Sequence, residues 1–507
     1  MSIRTLDFKP TYDVTVIGAG VFGACLAFEA NRRGLSVLLV DQHDYGSGTS
    51  ANSLKTIHGG LRYLQQLDVL SSRTSIIARR EWLQLAPDLV TPLPCLLPTS
   101  RQLMKSRPIV GAGLLLYQLL SLGCNKGIPR KSQIPPVALL NKATTQQRLN
   151  GFDLTGITGA AHWHDAQMQD SEQLVYAFVA SAQRNGADCH NYVSVDGITP
   201  APSHHSLTLV DQLTQQSYEV TSKTVVDCSG VGRVLENQLR PQKPSSSNAS
   251  TSAYASAVNL VLNRKLCDYA VGITVKTQKQ GNRALFLSPW RNSTLLGTWY
   301  FENPEPTSSQ LNTCLTEINQ LFPEAPLKAS DISHIHVGHL PVDAAKMTEQ
   351  GAEHALIKQS QIIDWEKATD LSKASQDYQG LFSLKGTKYT LGYVAAKQMV
   401  QQLKRYCPLS PAPRLTRITL DIPTDASIKS QIEQAVVQQQ AWHLDDVLLR
   451  RLPIGDEKKP SDETIATCLA IMAAHFDWDT ERQAQEKDRL NQQYRYLQRL
   501  NENMGTT

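Results

Sequence analysis

The sequence lacks the cysteine pattern of a disulfide framework or a zinc ribbon. Its 507 residues include nine cysteines, an odd number, and no two of them form a Cys-x-x-Cys pair. Disulfide-rich and zinc-ribbon proteins instead carry paired cysteines at regular spacings. We therefore expect free thiols and a reducing compartment.

The sequence also has little excess charge of either sign. A net charge of +4 over this length, with no basic run interleaved with aromatic residues, argues against a nucleic-acid partner. No apolar stretch precedes the first strand-like segment, so we expect no secretory signal and a cytoplasmic protein. With 41% hydrophobic and 19% charged residues, the composition is that of a globular protein.

No apolar run is long enough to cross a bilayer, which takes about 20 residues. The longest run, 109–124, is flanked by basic residues: Arg101, Lys105, Arg107, Lys126, Arg130 and Lys131. This pattern is typical of a peripheral segment that lies in the lipid interface, here on the inner face of the cell membrane. A buried core helix with solvated ends has the same pattern, so both interpretations of 101–131 stay open.

A βαβ unit is indicated at the start of the chain. The β-branched run 13–17 is followed by Gly18-x-Gly20-x-x-Gly23, a helical pattern that ends at Gly34, and a second apolar run that ends at Asp41. The glycines permit a tight turn, a close approach of pyrophosphate to the backbone, and close helix packing, while Asp41 can bind ribose hydroxyls. This unit predicts a dinucleotide site on a parallel sheet.

Later segments predict a mixture of helices and strands. We expect a helix over 171–184, a β-hairpin over 206–220, a short strand over 224–227, and a polar loop over 242–253. Strands broken by turns should fill 253–363. Helices should follow at 431–452, 462–476 and 480–503.

The segment 16–64, which ends in GSGTSANSLKTIHGGLRYL, resembles the N-terminus of the FAD-dependent glycerol-3-phosphate dehydrogenase family of DAO-type flavoproteins. The resemblance implies a divergent member with FAD as cofactor and an α/β fold. Its Rossmann-type FAD-binding domain would cover 1–250 and 364–405, with 60–160 partly an insertion. A mixed-sheet substrate domain would cover 251–363, and a helical C-terminal domain would cover 411–507.

The same resemblance assigns residues to the cofactor and the substrate. It implies FAD contacts from Gly18, Gly20, Gly23, Asp41, Thr49, Ser50, Ser53, Ser229, Gly230, Gly386, Thr387 and Lys388. It implies substrate contacts from Arg62, Tyr63, Asn259, His339 and Thr390. Two positions depart from the family, because Leu340 stands where the family has a phosphate-binding arginine and Asn259 where it has a histidine.

Oxidation of a secondary alcohol by flavin needs a base and fixed positive charge. By the family parallel, His58, Arg62 and Lys388 are the catalytic candidates. His58 could instead only hold its turn, Arg62 could form a structural ion pair, and Lys388 could be a solvated loop lysine. The histidines at 334, 336 and 339 alternate along a strand with no carboxylate or thiolate beside them, and those at 162 and 164 alternate around Trp163, so we expect no metal.

The sequence therefore predicts an FAD-dependent dehydrogenase that oxidises a small anionic hydroxy compound such as glycerol 3-phosphate. Electrons would pass to a quinone-type acceptor. An amine or amino-acid oxidase that uses oxygen is the alternative, because related amine-oxidising flavoproteins share this architecture. A flavin-binding protein without activity is the third hypothesis.

Overall fold

The structure is a computed structural model that describes residues 4–149, 151–153, 155–240, 254–277, 281–368, 375–420, 427–452 and 454–502. Its strands are β1 (Thr11–Ile17), β2 (Val37–Asp41), β3 (Thr56–Ile57), β4 (Val90–Ser100), β5 (Ala138–Asn141), β6 (Ile157–Met168), β7 (Asp188–Asn191), β8 (Val193–Thr199), β9 (His205–Asp211), β10 (Ser217–Asp227), β11 (Tyr254–Leu262), β12 (Ala270–Thr277), β13 (Gly281–Trp290), β14 (Ser293–Phe301), β15 (Ile332–Pro341), β16 (Gln361–Asp364) and β17 (Leu381–Lys385).

The α-helices are α1 (Val21–Arg32), α2 (Leu61–Leu64), α3 (Val69–Leu85), α4 (Arg107–Leu120), α5 (Lys142–Arg148), α6 (Ser171–Arg184), α7 (Val234–Leu239), α8 (Ser308–Ile318), α9 (Ala344–Gln350), α10 (Ala352–Ala355), α11 (Gly392–Leu403), α12 (Ile428–Gln438), α13 (Asp462–Phe476), α14 (Thr480–Gln492) and α15 (Arg495–Glu502). The predicted mixed α/β class is confirmed.

The first sheet carries the predicted βαβ unit. Its order is β16-β17-β10-β1-β2-β7, with β9 and β8 continuing antiparallel from β10. Strands β17, β10, β1, β2 and β7 are parallel, and α1 packs between α6 and α11 on one face. The carboxyl ends of the central strands therefore meet at one edge, beside the start of α1.

The second sheet is larger than the sequence predicts. Its order is β15-β11-β14-β13-β12-β4-β6-β3, with β5 on β6. Strands from the stretch 56–168 thus join those from 254–341, and helices α8, α9 and α10 interrupt the stretch for which only strands were expected. The predicted strand 224–227 is the end of β10. The domain boundaries stay a prediction, and the predicted loop 242–253 lies outside the described residues.

The C-terminal helices break where continuous helices were predicted. Helix α12 ends at Gln438, and a π-helical turn begins at Asp446, whose carboxylate accepts the N–H groups of Trp442 and His443 at 2.9 Å each. The carboxylate caps a new start, which is why the pattern over 431–452 is not one helix. The final predicted helix breaks between α14 and α15, where the buried Tyr494 hydroxyl donates to the Gly455 carbonyl at 2.7 Å.

Helix α4 lies on the surface rather than in the core. Of its residues only Leu114 and Tyr117 are buried, whereas Leu115 is 63% exposed and Leu119 is 55% exposed. The interpretation of 109–124 as a buried core helix is therefore wrong. Among the helices of the described stretches, none combines the length and the apolar character that crossing a membrane requires.

A buried ionic network fastens the C-terminal helices to the first sheet. Asp44, which follows β2, accepts from Arg450 Nε at 2.6 Å and from Arg451 Nη2 at 2.7 Å. Arg450 also pairs with Asp445 at 2.7 Å, and all four side chains are at most 5% exposed.

We expect Asp44→Ala to destabilise the protein by about 3–5 kcal/mol, because it leaves the buried Arg451 guanidinium without its counter-ion and removes one of the carboxylates that pair with Arg450. The measurement is the urea midpoint followed by tryptophan fluorescence. Asp88→Ala is the control, since its pair with Lys131 is more than 60% exposed on both sides and contributes about 1 kcal/mol or less. Equal shifts for the two variants would contradict the prediction.

Candidate functional site

The turn between β1 and α1 forms a concave backbone surface that has room only because Gly18, Gly20 and Gly23 lack side chains. A Cβ on Gly23 would lie 1.8 Å from the Gly18 carbonyl oxygen, and Gly18 itself, at φ +95°, lies under Ser229. Gly20 has only the Ser50 hydroxyl nearby, at 3.2 Å from its would-be Cβ. Helix α1 begins without a side-chain cap. The turn therefore leaves space and a partial positive charge where a pyrophosphate fits.

Asp41 lies at the carboxyl end of β2, beside this turn. Its carboxylate accepts the Ala19 N–H at 2.6 Å and the His43 N–H at 2.8 Å. Burial raises its pKa to about 6, against the lowering effect of those two hydrogen bonds. Each carboxylate oxygen has a second lone pair, so Asp41 can also accept a ribose hydroxyl.

The loop that holds Thr49, Ser50 and Ser53 is clamped between α1 and β15. The Ser50 hydroxyl accepts the Val21 N–H at 2.9 Å, at the first turn of α1. The Thr49 hydroxyl bonds to both the N–H and the carbonyl of His339, at 2.8 and 2.7 Å. Ser53 accepts the Lys55 N–H at 3.2 Å. The loop thus borders the glycine turn on one side and the second sheet on the other.

Two further segments close on the same helix terminus. Ser229 and Gly230 follow β10, and the Ser229 hydroxyl donates to Asp227 at 2.6 Å. Gly386 follows β17, and a Cβ there would lie 2.3 Å from the ring of Phe22 in α1. The Thr387 hydroxyl donates to the Ile357 carbonyl at 2.6 Å. The segments that hold Asp41, Ser50, Ser229 and Gly386 therefore meet at the glycine turn and the start of α1, and this arrangement fits a bound dinucleotide.

His58 is held by a buried carboxylate and faces an open space. Its Nδ1 lies 3.0 Å from Asp165 Oδ2, and the other Asp165 oxygen accepts the Gly59 N–H at 2.8 Å. The His58 side chain is 54% exposed while that of Asp165 is 5% exposed. Burial acts to raise the pKa of Asp165, but the hydrogen bond from His58 and the charges of His58 and Arg79 outweigh it and lower that pKa. An ionised Asp165 orients the ring, which leaves Nε2 free to accept a proton.

Three cations from different segments, Lys388, Lys358 and Arg62, lie near one another beside the segment that contacts His58. The His58 N–H donates to the Thr390 hydroxyl at 3.1 Å, and Lys388 stands two residues before Thr390. The Lys388 ammonium donates to the Tyr63 hydroxyl and, at 2.7 Å, to the Lys358 carbonyl. Burial and then the charges of Lys358 and Arg62 lower the pKa of Lys388 to about 8. Lys388 is thus not a solvated loop lysine.

Arg62 is exposed at the start of α2 and, within the described part of the chain, forms no salt bridge. Its charge acts on Tyr63, on Lys388 and on Tyr300. The interpretation of Arg62 as a structural ion-pair residue is therefore not supported. A guanidinium held near other cations without a counter-ion is suited to an incoming anion.

Two predicted substrate residues already have hydrogen-bond partners of their own. Asn259 is 1% exposed, and its amide oxygen accepts from the Thr298 hydroxyl at 2.8 Å. The His339 ring bonds to the Pro304 carbonyl at 2.7 Å. Their contact with substrate stays a prediction that these bonds do not favour.

Sequence reasoning missed two residues of the site. The sequence assigned no role to Asp165, because its position beside His58 depends on the pairing of β3 with β6, which brings Ile57 opposite Ala166. The sequence did not indicate Lys358 as a site residue. Its position near β15 depends on the bridge between Val342 and Leu356, which no sequence pattern predicts. Both become visible only once the strands are paired.

The histidines at 334 and 336 pack against each other with ring centroids 4.9 Å apart, and His336 Nε2 lies 3.1 Å from Asp456. Across the ranges that the structure describes, no group of three or more potential ligands is arranged to hold a metal ion.

Comparisons with known proteins agree with this geometry. The family model for FAD dependent oxidoreductases (DAO) matches residues 13–402. A glycerol-3-phosphate dehydrogenase from Synechocystis is 27% identical over 80% of this chain and 72% of its own length. The structure of glycerol-3-phosphate dehydrogenase from Bacillus halodurans, complexed with FAD, has a TM-score of 0.69 at 18% identity, covering 96% of this chain and 95% of that one. Glycine oxidase from Geobacillus kaustophilus has a TM-score of 0.53 at 15% identity, covering 82% and 100%.

We expect Gly23→Ala to abolish FAD retention, because the new methyl group would overlap the Gly18 carbonyl and push α1 away from the turn. The measurement is the ratio of flavin to protein absorbance after gel filtration. Gly113→Ala is the control, since that helical glycine has nothing within 4 Å of its would-be Cβ. A Gly23→Ala protein with full flavin content would contradict the prediction.

Proposed function

The chain belongs to the FAD dependent oxidoreductase family, and on that premise we propose that it oxidises a small anionic secondary alcohol of the glycerol 3-phosphate class. Two observations carry the proposal. Asp165 orients His58, and the cations Arg62, Lys358 and Lys388 lie close enough to one another near Tyr63 for their charges to interact. The name of the Synechocystis relative supports the same substrate class.

In this proposal, the cations bind the substrate and His58 transfers a proton. The three cations attract and orient the anionic group, and His58 Nε2 takes the proton of the hydroxyl that is being oxidised. Asp165 stabilises the positive charge that His58 then acquires. FAD supplies the acceptor for the hydride that leaves carbon.

Lys358 supplies the charge that is missing at Leu340. The Ile357 N–H donates to the Pro341 carbonyl at 3.4 Å, and Val342 bridges Leu356, so the start of the 356–358 segment lies against the end of β15. Lys358 is thus two residues from the bridge, near the position where the family has its arginine. A lysine is a point charge rather than a planar fork, which suits a phosphate.

The alternative of an amino-acid oxidase has weaker support. Glycine oxidase shares the fold at a TM-score of 0.53, below the 0.69 of the glycerol-3-phosphate dehydrogenase structure. A cluster of three cations is also poorly suited to a substrate that carries an amino group, since like charges repel.

The direct test is turnover of glycerol 3-phosphate by the FAD-loaded protein with an artificial dye acceptor. We expect dye reduction and little hydrogen peroxide in air. No dye reduction at full flavin content would rule out this substrate. Rapid peroxide release with glycine or another amino acid would favour the oxidase, and no bleaching of the flavin by any of these compounds would favour a protein without activity.

We expect Lys358→Met to raise KM for glycerol 3-phosphate about tenfold to a hundredfold, in line with about 1.5–3 kcal/mol for a hydrogen bond to a charged group. It should also raise the pKa of Lys388 above about 8, because a neighbouring positive charge is gone. Since Lys388 must be protonated to bind an anion, kcat/KM falls as pH rises through that pKa, and in the variant this fall should move to higher pH.

The control for Lys358→Met is Lys367→Met, which removes a 68% exposed lysine from the same stretch. It should change neither KM nor the pH profile. An unchanged pH profile in Lys358→Met would remove Lys358 from the anion site.

We further propose that the protein lies on a membrane surface through α4 and passes electrons to a quinone. Exposed apolar side chains cluster there: Leu67, Leu70, Leu103, Met104, Leu115, Leu119 and Leu122 are each more than half exposed. Helix α3 joins this surface through the bond from Arg73 to the Leu120 carbonyl at 2.6 Å. The stretch 101–131 holds six basic residues and no acidic one, which suits anionic head groups.

We expect the double variant Leu115→Asp, Leu119→Asp to lose binding to vesicles of phosphatidylglycerol and phosphatidylethanolamine in a sedimentation assay. Burying one leucine contributes about 1.5–3 kcal/mol, so the loss should exceed a hundredfold. Val437→Asp changes a residue that is 66% exposed in α12 and should bind as the parent does. Retention of the double variant on vesicles would refute the α4 surface.

A further inference from the structure

A cavity lined by cations lies at the carboxyl end of α4. Its volume is about 240 Å³, and it is bounded by α3, the end of α4 and the loops 121–126 and 134–137. Arg79 and Lys126 line it, and among the residues that the structure describes no acidic one takes part in the lining. None of the residues that the sequence assigns to cofactor or substrate lines it either. The cavity is therefore a positively charged space outside the proposed substrate site.

Two side chains lie between the cavity and the turn of His58 and Gly59, which we call the histidine turn. The Tyr117 hydroxyl donates to the Gly59 carbonyl at 3.0 Å. A Cβ on Gly59 would lie 2.1 Å from the Tyr117 oxygen and 2.2 Å from Arg79 Nη1. Because Tyr117 and Arg79 also line the cavity, they separate its contents from the histidine turn.

Arg79 has one edge of its guanidinium group without an acceptor. Its Nη1 donates to the Tyr117 hydroxyl at 3.0 Å and to the His164 carbonyl, and lies 3.6 Å from Asp165. Its Nη2 is buried and has no hydrogen-bond partner within the described parts of the chain. The residue is 1% exposed. A buried charged donor that stays unpaired is destabilising, so Nη2 indicates an acceptor that binds in the cavity.

Other groups of the lining can also donate hydrogen bonds. The Ser121 hydroxyl and His164 Nδ1 are buried and, in the stretches that the structure covers, have no partner. Burial, and then the charges of His162 and Arg79, lower the pKa of His164 to about 4, so its ring is neutral near pH 7 and carries one N–H. The Gln118 side-chain oxygen accepts a backbone N–H at 3.0 Å, which leaves its amide NH2 group as a donor.

The carbonyl groups at the end of α4, which would repel an anion, already have donors. Those of residues 117–119 accept N–H groups of Ser121 and Leu122. The Leu120 carbonyl accepts from Arg73 Nη1 at 2.6 Å. A cation thus offsets the negative end of the helix dipole, and the helix end does not oppose an anion in the cavity.

We propose that this cavity binds a phosphate group, either of a soluble phosphate or of a lipid head group. Arg79 Nη2 and the Ser121 hydroxyl donate to its oxygens, and the exposed Lys126 supplies a second positive charge. Two cations without an acidic neighbour in the described lining suit a phosphate, which carries up to two negative charges, better than a carboxylate, which carries one. This site goes beyond the proposed function and does not depend on it.

The size of the cavity limits what can carry the phosphate. Its volume of about 240 Å³ is below the roughly 300–1,000 Å³ typical of sites for drug-sized ligands. The phosphate and a few more atoms therefore fit inside, and the rest of a larger molecule has to lie outside.

The test is protection of Cys124, which lines the cavity and is partly exposed, from alkylation by N-ethylmaleimide. The FAD-loaded full chain is incubated with sodium phosphate, sodium acetate or sodium chloride at equal ionic strength, and alkylation is followed by peptide mass spectrometry. Cys267 is the internal reference, since it is partly exposed and does not line the cavity. We expect phosphate to slow alkylation of Cys124 at least fivefold, to leave Cys267 unchanged, and to act at concentrations at least tenfold below those of acetate.

Two variants locate the bound phosphate through the concentration that gives half-maximal protection. Ser121→Ala removes a hydroxyl that bonds no other group of the described chain, so the variant should fold as the parent does and bind phosphate about tenfold more weakly. Lys126→Met should weaken binding about threefold, because its charge is exposed. Lys105→Met is the matched control, since it removes a lysine of the same basic stretch that is outside the lining, and its protection should be unchanged.

A short-chain phosphatidylglycerol, used below its micelle concentration, distinguishes the two sources of phosphate. Protection at a lower concentration of this lipid than of sodium phosphate assigns the site to a lipid head group, and the reverse order assigns it to a soluble phosphate.

Four results would each overturn the assignment. They are no protection by either phosphate source, equal slowing by chloride, protection by acetate at the same concentration as by phosphate, and an unchanged half-maximal concentration in Ser121→Ala. No alcohol or electron acceptor is present in these measurements, so a failure of this site and a failure of the proposed function are read separately.

Discussion

One buried carboxylate, that of Asp165 in β6, fixes the position of the histidine turn between the second sheet and α3. It accepts the Gly59 N–H, faces His58 Nδ1 at 3.0 Å and lies 3.6 Å from Arg79 Nη1. Burial works against its ionised form, and these three neighbours restore it. The orientation of the His58 ring, the backbone of its turn and the position of Arg79 therefore all depend on a single negative charge.

The parts of the fold that follow from local sequence were predicted well. Helix α6 begins at Ser171 and ends at Arg184 as its apolar spacing indicated, and α13 covers the predicted 462–476. The glycine turn was also predictable, because Gly23 is required by its close approach to the Gly18 carbonyl in the same turn and Gly18 has a φ of +95°. Such features depend on neighbours in the chain, which a single sequence contains.

The remaining features depend on partners that are distant in sequence. Lys358 comes close to the end of β15 through the bridge between Val342 and Leu356, and the break after α12 depends on carboxylates turned inward toward Arg450. Apolar periodicity treats charged residues as surface, so it cannot foresee buried ion pairs. The sequence comparison considered only Leu340 at the position of the family's arginine, whereas the proposed substitute, Lys358, belongs to another segment.

The order of strands in the first sheet has a consequence for how the chain is made. Ile17 pairs with Val40 on one side and with Asp227 on the other, and β10 then pairs with β17 at Leu381. As the chain leaves the ribosome, the edge of β1 that pairs with β10 stays unpaired until about half of the 507 residues have been synthesised. Asp44 likewise has no ion pair with Arg451 until that residue has been made. Contacts of such long sequence separation fold slowly and expose strand edges meanwhile. Nascent chains should therefore need chaperone protection at least until β17 has been made, because only then are the segments of the predicted cofactor site all present.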